Sequence, residues 1–490
     1  MSQRGHSTPS GGSQDGTPSR SAVPRLASIW RVGLLVAVKC FATGFLLTCL
    51  LIAAIALTDR LPPDPMRINL LAAFENGTLQ EKDYLPGNRQ IGFHQYNDCL
   101  LVMMVRFRPP SAIKSAVAPV AAWGDNPSDL LNESGELITQ CQLARASVYA
   151  DEPRSLYENE RYLPYSRYVH AYRIPFNLMI YVAPASTIRE IYRWAGVLSL
   201  IGVVAAHIYR TVVATGPKRL EKVTSYIGFA ILSGTFLAYF GLDLFGPSFT
   251  HGPADLLLFL ALAWLSLFAR DPHGGAWVLT SAVLGALAFS FEFLHGTLPL
   301  MIAIILGAAA LRAFAASREL SLADLAVLIG AFGLGTAGSI AAKLTAVFAV
   351  EGTEVIHVLS NKIVFYTAGG DPSYFELAGN LFRALDFIGW GSQVPVLLAL
   401  CVGGCGAALA TVALTTGLLR PALRSAIFAS LVSIAMIAVW YAVFLNHSWI
   451  HAQFMVRLLA WPIGMGLVCL LLVRAALVSA LQPSSRAGCV

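Results

Sequence analysis

The sequence predicts an all-α polytopic membrane protein of about 10 transmembrane helices, with a small mixed α/β module in its first outer loop. Three observations predict it. Of 490 residues, 56% are hydrophobic and only 13% charged, about half the charge density of a soluble chain. The apolar residues gather into runs long enough to cross ~30 Å of hydrocarbon, which takes about 20 helical residues. Lys and Arg in the short connections between runs fall on one side only. This composition, with a mean hydropathy of +0.63, excludes a soluble enzyme, a disordered chain and a collagen-like chain. No nucleic acid is expected as a partner. The net charge of +6 is spread over a tail and short loops rather than gathered on one face.

Residues 1–31 open the chain, and the first 24 are rich in Ser, Gly, Pro and Arg, so the segment reads as a disordered cytoplasmic tail. The first span covers 32–57. Ala54-Ile55-Ala56 resembles a signal cleavage site, but the apolar run before it exceeds the roughly 7–15 residues of a signal core, so an uncleaved helix is expected. Residues 58–190 form the outer-face module, in which alternation around Cys99–Phe107 suggests a strand and 128–148 carries a weak helical pattern. The bundle follows at 191–480, with nine runs at about 194–209, 224–243, 254–269, 276–294, 298–316, 322–349, 393–419, 425–445 and 458–480. A second outer loop covers 350–392, and 481–490 returns to the cytoplasm.

Orientation follows from Arg210, Lys218, Arg219, Lys222, Arg270, Arg312, Arg318, Arg420 and Arg424, all on the side shared with the N-terminus; the opposite short connections at 244–253 and 294–298 hold no Lys or Arg. Both termini are therefore expected in the cytoplasm, with the protein integral to a membrane. Cys40, Cys49, Cys401, Cys405 and Cys469 lie in apolar runs and Cys489 in the terminal tail. Cys99 and Cys141 share the module, where an oxidising compartment leaves a disulfide open.

Polar residues at the outer helix ends are where chemistry is expected. His251 follows the third span, and Glu292-Phe293-Leu294-His295 ends the fifth, putting Glu292 and His295 on one helix face. That pair is read as holding a single Mg²⁺ or Mn²⁺, as contacting a sugar, or as a structural ion pair; the sequence names no cofactor. Asn446-His447-Ser448-Trp449-Ile450-His451 leads to Arg457, with the histidines four residues apart. Its functional reading is a phosphate or metal site with Arg457 as a planar fork of donors; its plain reading is an interfacial turn. In the module, His94-Gln95-Tyr96-Asn97-Asp98 runs into apolar Leu100–Val105. A carboxylate there has the desolvation that a general base needs, although Asp98 also reads as a helix cap. Asp59 and Asp64 share its topological position. Tyr157, Tyr162, Tyr165, Tyr168 and Tyr172 suit a sugar-binding surface or an interfacial aromatic belt, the belt fitting better. Phosphate-loop, serine-elbow and zinc-box motifs are missing, and few charges lie at span midpoints, which favours membrane-surface chemistry over pumping.

The topology, with a large first outer loop bearing acidic residues and later outer loops bearing His, Arg and Lys, resembles the GT-C superfamily of membrane glycosyltransferases. The segments Tyr96-Asn97-Asp98-Cys99, Glu292-x-x-His295 and Asn446-His447-Ser448-x-x-His451…Arg457 are also similar to bacterial multispanning proteins associated with surface polysaccharides. The resemblance implies a polyprenyl-phosphate sugar as donor, a glycan, lipid or protein as acceptor, and Asp98 as base. It further implies Arg457, helped by Lys362 or Arg383, on the phosphate. His94, His251, Asn446, His447 and His451 would bind substrate, with Glu292 and His295 orienting donor or metal. Asp59-Arg60-Leu61-Pro62-Pro63-Asp64 departs from the family's adjoining acidic pair. A lipid-linked glycan flippase and a non-enzymatic envelope assembly protein remain as alternatives.

Overall fold

The structure, a computed structural model, describes residues 22–85, 92, 95–122, 139–150, 162–166, 168–216, 218–269, 271–292, 296–353, 360, 364, 373–388, 393–416 and 419–481. His94, His295 and Lys362 lie outside the described residues, as does 128–138 of the expected module helix. The chain divides into two compact units, Met1–Lys39 and Cys40–Val490. The first contributes the opening turns of helix α1 (Ala22–Thr58), with Val32, Leu34 and Leu35 exposed.

In the second unit, the module comprises α2 (Pro63–Glu75), α3 (Tyr96–Arg106), α4 (Ala112–Val117), β1 (Val120–Ala122), α5 (Gln140–Tyr149), β2 (Tyr162–Pro164) and α6 (Arg173–Val182). The bundle comprises α7 (Ala185–Val213), α8 (Arg219–Tyr239), α9 (Leu242–Phe245), α10 (His251–Leu267), α11 (Gly275–Glu292), α12 (Thr297–Ala315) and α13 (Leu322–Glu351). It continues with α14 (Tyr374–Ile388), α15 (Val394–Thr415), α16 (Pro421–Val443), α17 (Leu445–Ile450), α18 (Ala452–Met455), a 3₁₀ turn (Val456–Leu459) and α19 (Ala460–Leu481). Eight stretches among the described residues are long and apolar enough to cross a membrane: Val32–Thr58, α7, α11, α12, α13, α15, α16 and Ala452–Val478. This is a polytopic helical membrane protein. The other two expected spans form α10, only 17 residues long, and α8, which opens on Arg219, Glu221 and Lys222.

Helix α12 is buried almost throughout, as an element apolar on every face must be. Small residues bring other backbones close: Gly335 of α13 lies against Gly44 of α1 and Ala282 of α11, and Gly466 of α19 against Gly403 and Gly406 of α15. Without a hydrophobic drive between helices in lipid, such close approach is a main source of association. At one end of the bundle, Arg210 donates to Leu267 O at 3.1 Å and Arg312 to Leu265 O at 3.1 Å, closing the last turn of α10. These cations thus satisfy carbonyls that the helix itself leaves open.

Residues 96–106 form α3, where alternation suggested a strand. The run from Leu100 to Val105 is buried on every side, and continuous burial erases the period that separates helix from strand. Among the described residues the module's strands are β1 and β2, three residues each and antiparallel, with Val120 opposite Pro164. Asp59, at the end of α1, is buried and accepts from Arg173 at 2.6 Å, Ser115 at 2.7 Å and Asn177 at 2.9 Å. It therefore joins α1, α4 and α6 and belongs to the scaffold.

Cys99 and Cys141 form a disulfide between α3 and α5 across 42 residues of sequence. A closed loop of that size is expected to add about 3–4 kcal/mol through the unfolded chain. The paired Cys99→Ser, Cys141→Ser protein should therefore unfold at a lower temperature than its parent. An unchanged midpoint, with reductant also without effect on the parent, would remove the bridge from the account.

Candidate functional site

Two buried ionic centres lie side by side where α3 meets the turn between α9 and α10. The N-terminus of α3 supplies one side chain to each. Asp98 turns to residues 247–250: its Oδ1 accepts from Ser248 Oγ at 2.7 Å and from the Phe249 amide at 2.9 Å. The Thr250 amide and hydroxyl lie farther off, each at 3.4 Å. Arg189 of α7 donates to Asp98 Oδ2 at 2.9 Å and to Pro247 O at 3.0 Å, with its guanidinium 4.1 Å from the Phe249 ring centroid. A carboxylate here meets orphan amides and the positive end of the α10 dipole. Both its oxygens are committed to protein donors. Asp98 thus caps the turn that opens α10, with Arg189 as its buried counter-charge.

Asn97, the preceding residue, serves the second centre. Its Nδ2 lies 3.2 Å from Nε2 of His251, the first residue of α10. His251 Nδ1 is hydrogen-bonded to Glu292 Oε1. With the Asn97 amide donating, Nε2 carries the lone pair and Nδ1 the proton, so that His251 donates to Glu292. Glu292, the last residue of α11, accepts through Oε2 from Thr297 Oγ1 at 2.9 Å and from Arg457 Nη2 at 2.9 Å. Arg457 Nη1 reaches Asp255 Oδ1 at 2.8 Å, and its guanidinium lies 5.4 and 5.3 Å from the Phe240 and Phe245 ring centroids. Residues from α10, α11, α12 and the 3₁₀ turn are joined in this one network. Asp255 is 1% exposed, and its Oδ2 has no hydrogen-bond partner among the described residues.

Two residues singled out in sequence, His251 and Arg457, therefore meet at a third, Glu292. His447 and His451 form an outer layer, with ring centroids 4.5 Å apart. The Phe454 ring stands 6.3 Å from His451 and 4.7 Å from His251, linking the layers. Burial pushes the His451 pKa down to about 4, and the nearby His251 adds to the shift. Asn446 is buried beside this pair in α17. Arg383 is elsewhere: it is exposed on α14 and contacts Asn380.

Of the tyrosine run, Tyr157 lies outside the described residues, and Tyr165, Tyr168 and Tyr172 gather around His170. The His170 ring packs between Tyr165 and Tyr172, with centroids at 5.0 and 5.6 Å, and the Ala171 amide donates to Ser290 O at 3.0 Å, two residues from Glu292. His170 holds a φ of 59°, the left-handed region that a non-glycine residue adopts at a cost. Burial raises the Tyr172 pKa well above its usual value, with Tyr165, Glu292 and Asp98 among the neighbours acting in the same direction. Among the described residues, no group of three His, Cys, Asp or Glu side chains has the geometry to hold a metal ion.

Asp255 is the member that sequence reasoning missed. It sits inside the fourth apolar run, four residues after His251. A carboxylate within an apolar run was the available signal. No protein-family model, no curated protein and no solved structure matches this chain.

Proposed function

We propose that this protein is an integral membrane glycosyltransferase. It moves a sugar from a polyprenyl-phosphate donor to a glycan, lipid or protein acceptor on the outer face of a bacterial inner membrane. All ten predicted runs cross in this reading, α8 and α10 included, and both termini are cytoplasmic. The observation that carries it is the joining of His251, Asp255, Glu292 and Arg457, brought from three distant parts of the chain to one buried polar centre. Buried ionisable groups at the end of a membrane bundle are costly and mark function by default.

The buried, unpartnered Oδ2 of Asp255 supports it as the base in place of Asp98. The acceptor hydroxyl gives its proton to Asp255 Oδ2 while its oxygen attacks the anomeric carbon. The bond from that carbon to the phosphate oxygen breaks, and the lipid phosphate leaves with the electron pair. Arg457 already faces two carboxylates, so it positions Asp255 rather than cradling the phosphate. Arg383, exposed on α14, and Lys362 are the cations proposed to meet that phosphate. His447 and His451 orient the sugar. A divalent cation, Mg²⁺ or Mn²⁺, is a variable of the test.

The test uses purified protein in lipid vesicles with a panel of radiolabelled polyprenyl-phosphate sugars, and it follows release of lipid phosphate with and without Mg²⁺ or Mn²⁺. Release with at least one donor is expected. Translocation of the labelled lipid without cleavage would replace this reading with the flippase.

A further inference from the structure

Helix α14 lies in the chain between the spanning helices α13 and α15, and it divides into three sectors. Leu377, Ala384 and Leu385 are buried, at 4%, 4% and 2% exposure. Ala384 and Leu385 pack in one cluster with Phe245, Ala452, Phe454 and Val456. A second sector is polar, with Glu376, Asn380 and Arg383 at i, i+4 and i+7. Glu376 closes a cap at the helix start, accepting from the Ser373 amide at 2.6 Å and Ser373 Oγ at 3.0 Å. Asn380 donates to Trp449 O of α17 at 3.3 Å. The third sector holds Phe375 and Phe382, seven residues apart and 90% and 46% exposed, while Tyr374, 63% exposed, lies about 100° round the helix from Phe375.

Three large aromatic side chains facing water on one helix would be unfavourable, by roughly 25 cal/mol for each Å² of apolar surface. Facing lipid, they are at no disadvantage. The spanning helix that follows also exposes apolar side chains, Val394 and Leu398 at 69% and 64%. A helix with a polar stripe beside an exposed aromatic one suits the boundary between headgroups and acyl chains. We propose that α14 lies in that boundary. Phe375 and Phe382 enter the acyl region, and the Glu376–Asn380–Arg383 stripe faces the headgroups. The occupant of the aromatic face is the bilayer itself.

This placement gives α14 a consequence for the polar centre. Its buried sector packs with Phe245 and Phe454, whose ring centroids lie 6.5 and 4.7 Å from that of His251. The helix is therefore the wall between bilayer lipid and the His251 network. A lipid-linked substrate coming from the bilayer would pass along it; that last step rests on the function proposed above, whereas the lipid contact does not.

Spin labels placed by Phe375→Cys, Glu376→Cys and Phe382→Cys test the contact without any activity assay. The parent is the full chain with every cysteine except the bonded Cys99 and Cys141 replaced by serine, in phosphatidylcholine–phosphatidylglycerol vesicles. Collision with oxygen, which concentrates in lipid, is compared with collision with a water-soluble nickel chelate. The oxygen-to-nickel ratio is expected to be several-fold higher at 375 and 382 than at 376. Unfolding midpoints at 375 and 382 should match the parent, whereas Glu376→Cys gives up the cap to Ser373 and should unfold slightly earlier. Equal ratios at all three positions would put the helix in water and overturn the proposal. Weak collision with both reagents at 375 and 382 would also overturn it, by showing a protein partner or a second copy on that face.

Discussion

Arg457→Met is expected to lower the unfolding free energy by about 3–5 kcal/mol, the range for removing one partner of a buried ionic group. Arg457 is fully buried and bridges two buried carboxylates, at 2.8 Å to Asp255 and 2.9 Å to Glu292. Methionine keeps much of the apolar stem but leaves two negative charges near each other without a counter-charge. The loss then comes from those stranded carboxylates more than from the bonds removed. Adding Asp255→Asn and Glu292→Gln in the same chain should restore most of the stability, since a neutral trio has little desolvation to offset. Thermal unfolding of the purified protein in lipid nanodiscs measures both. A single variant as stable as its parent would show that the three residues do not act as a unit. A triple variant no better than the single one would place the cost in lost packing instead.

The bundle was legible because its signal is one of length. A helix must present about 20 apolar residues to cross hydrocarbon, and α11, at 275–292, lies within two residues of the run read at 276–294. The module was less legible. In α3 an unbroken apolar run hid its period, and Arg189, which saturates Asp98, lies 91 residues away in sequence. Asp98 thus looked like a lone carboxylate at an apolar mouth.

The same distance limit governed the site. His251, Glu292 and Arg457 stood out one by one as polar groups at the ends of apolar runs. Nothing in the sequence says that residues 41 and 165 apart share a hydrogen-bond network. Asp255 escaped because a run that tolerates one carboxylate still reads as a span. Its spacing from His251 is the i, i+4 interval that drew attention to His447 and His451. What failed was attention to polarity inside an apolar stretch, where burying a charge costs the most.

Asp255→Asn is expected to abolish lipid-phosphate release by 10²- to 10⁴-fold, roughly the contribution of a positioned general base, while leaving the fold intact. The carboxamide oxygen can still accept from Arg457 Nη1, as Oδ1 does at 2.8 Å, and the change removes a buried charge rather than exposing one. Stability within about 1 kcal/mol of the parent is therefore expected, since Arg457 keeps Glu292 as its counter-ion. Asp98→Asn should behave in the opposite way. An amide nitrogen placed among the donors from Ser248, Phe249 and Arg189 removes an acceptor and sets donor against donor, so folded protein is lost first. Turnover per folded molecule separates the two residues. The proposed assignment stands on a large fall for Asp255→Asn with little for Asp98→Asn; the reverse pattern would return the base to Asp98. A fall of no more than a few-fold in both would remove general-base chemistry from this centre and leave its charges to hold the helix ends together.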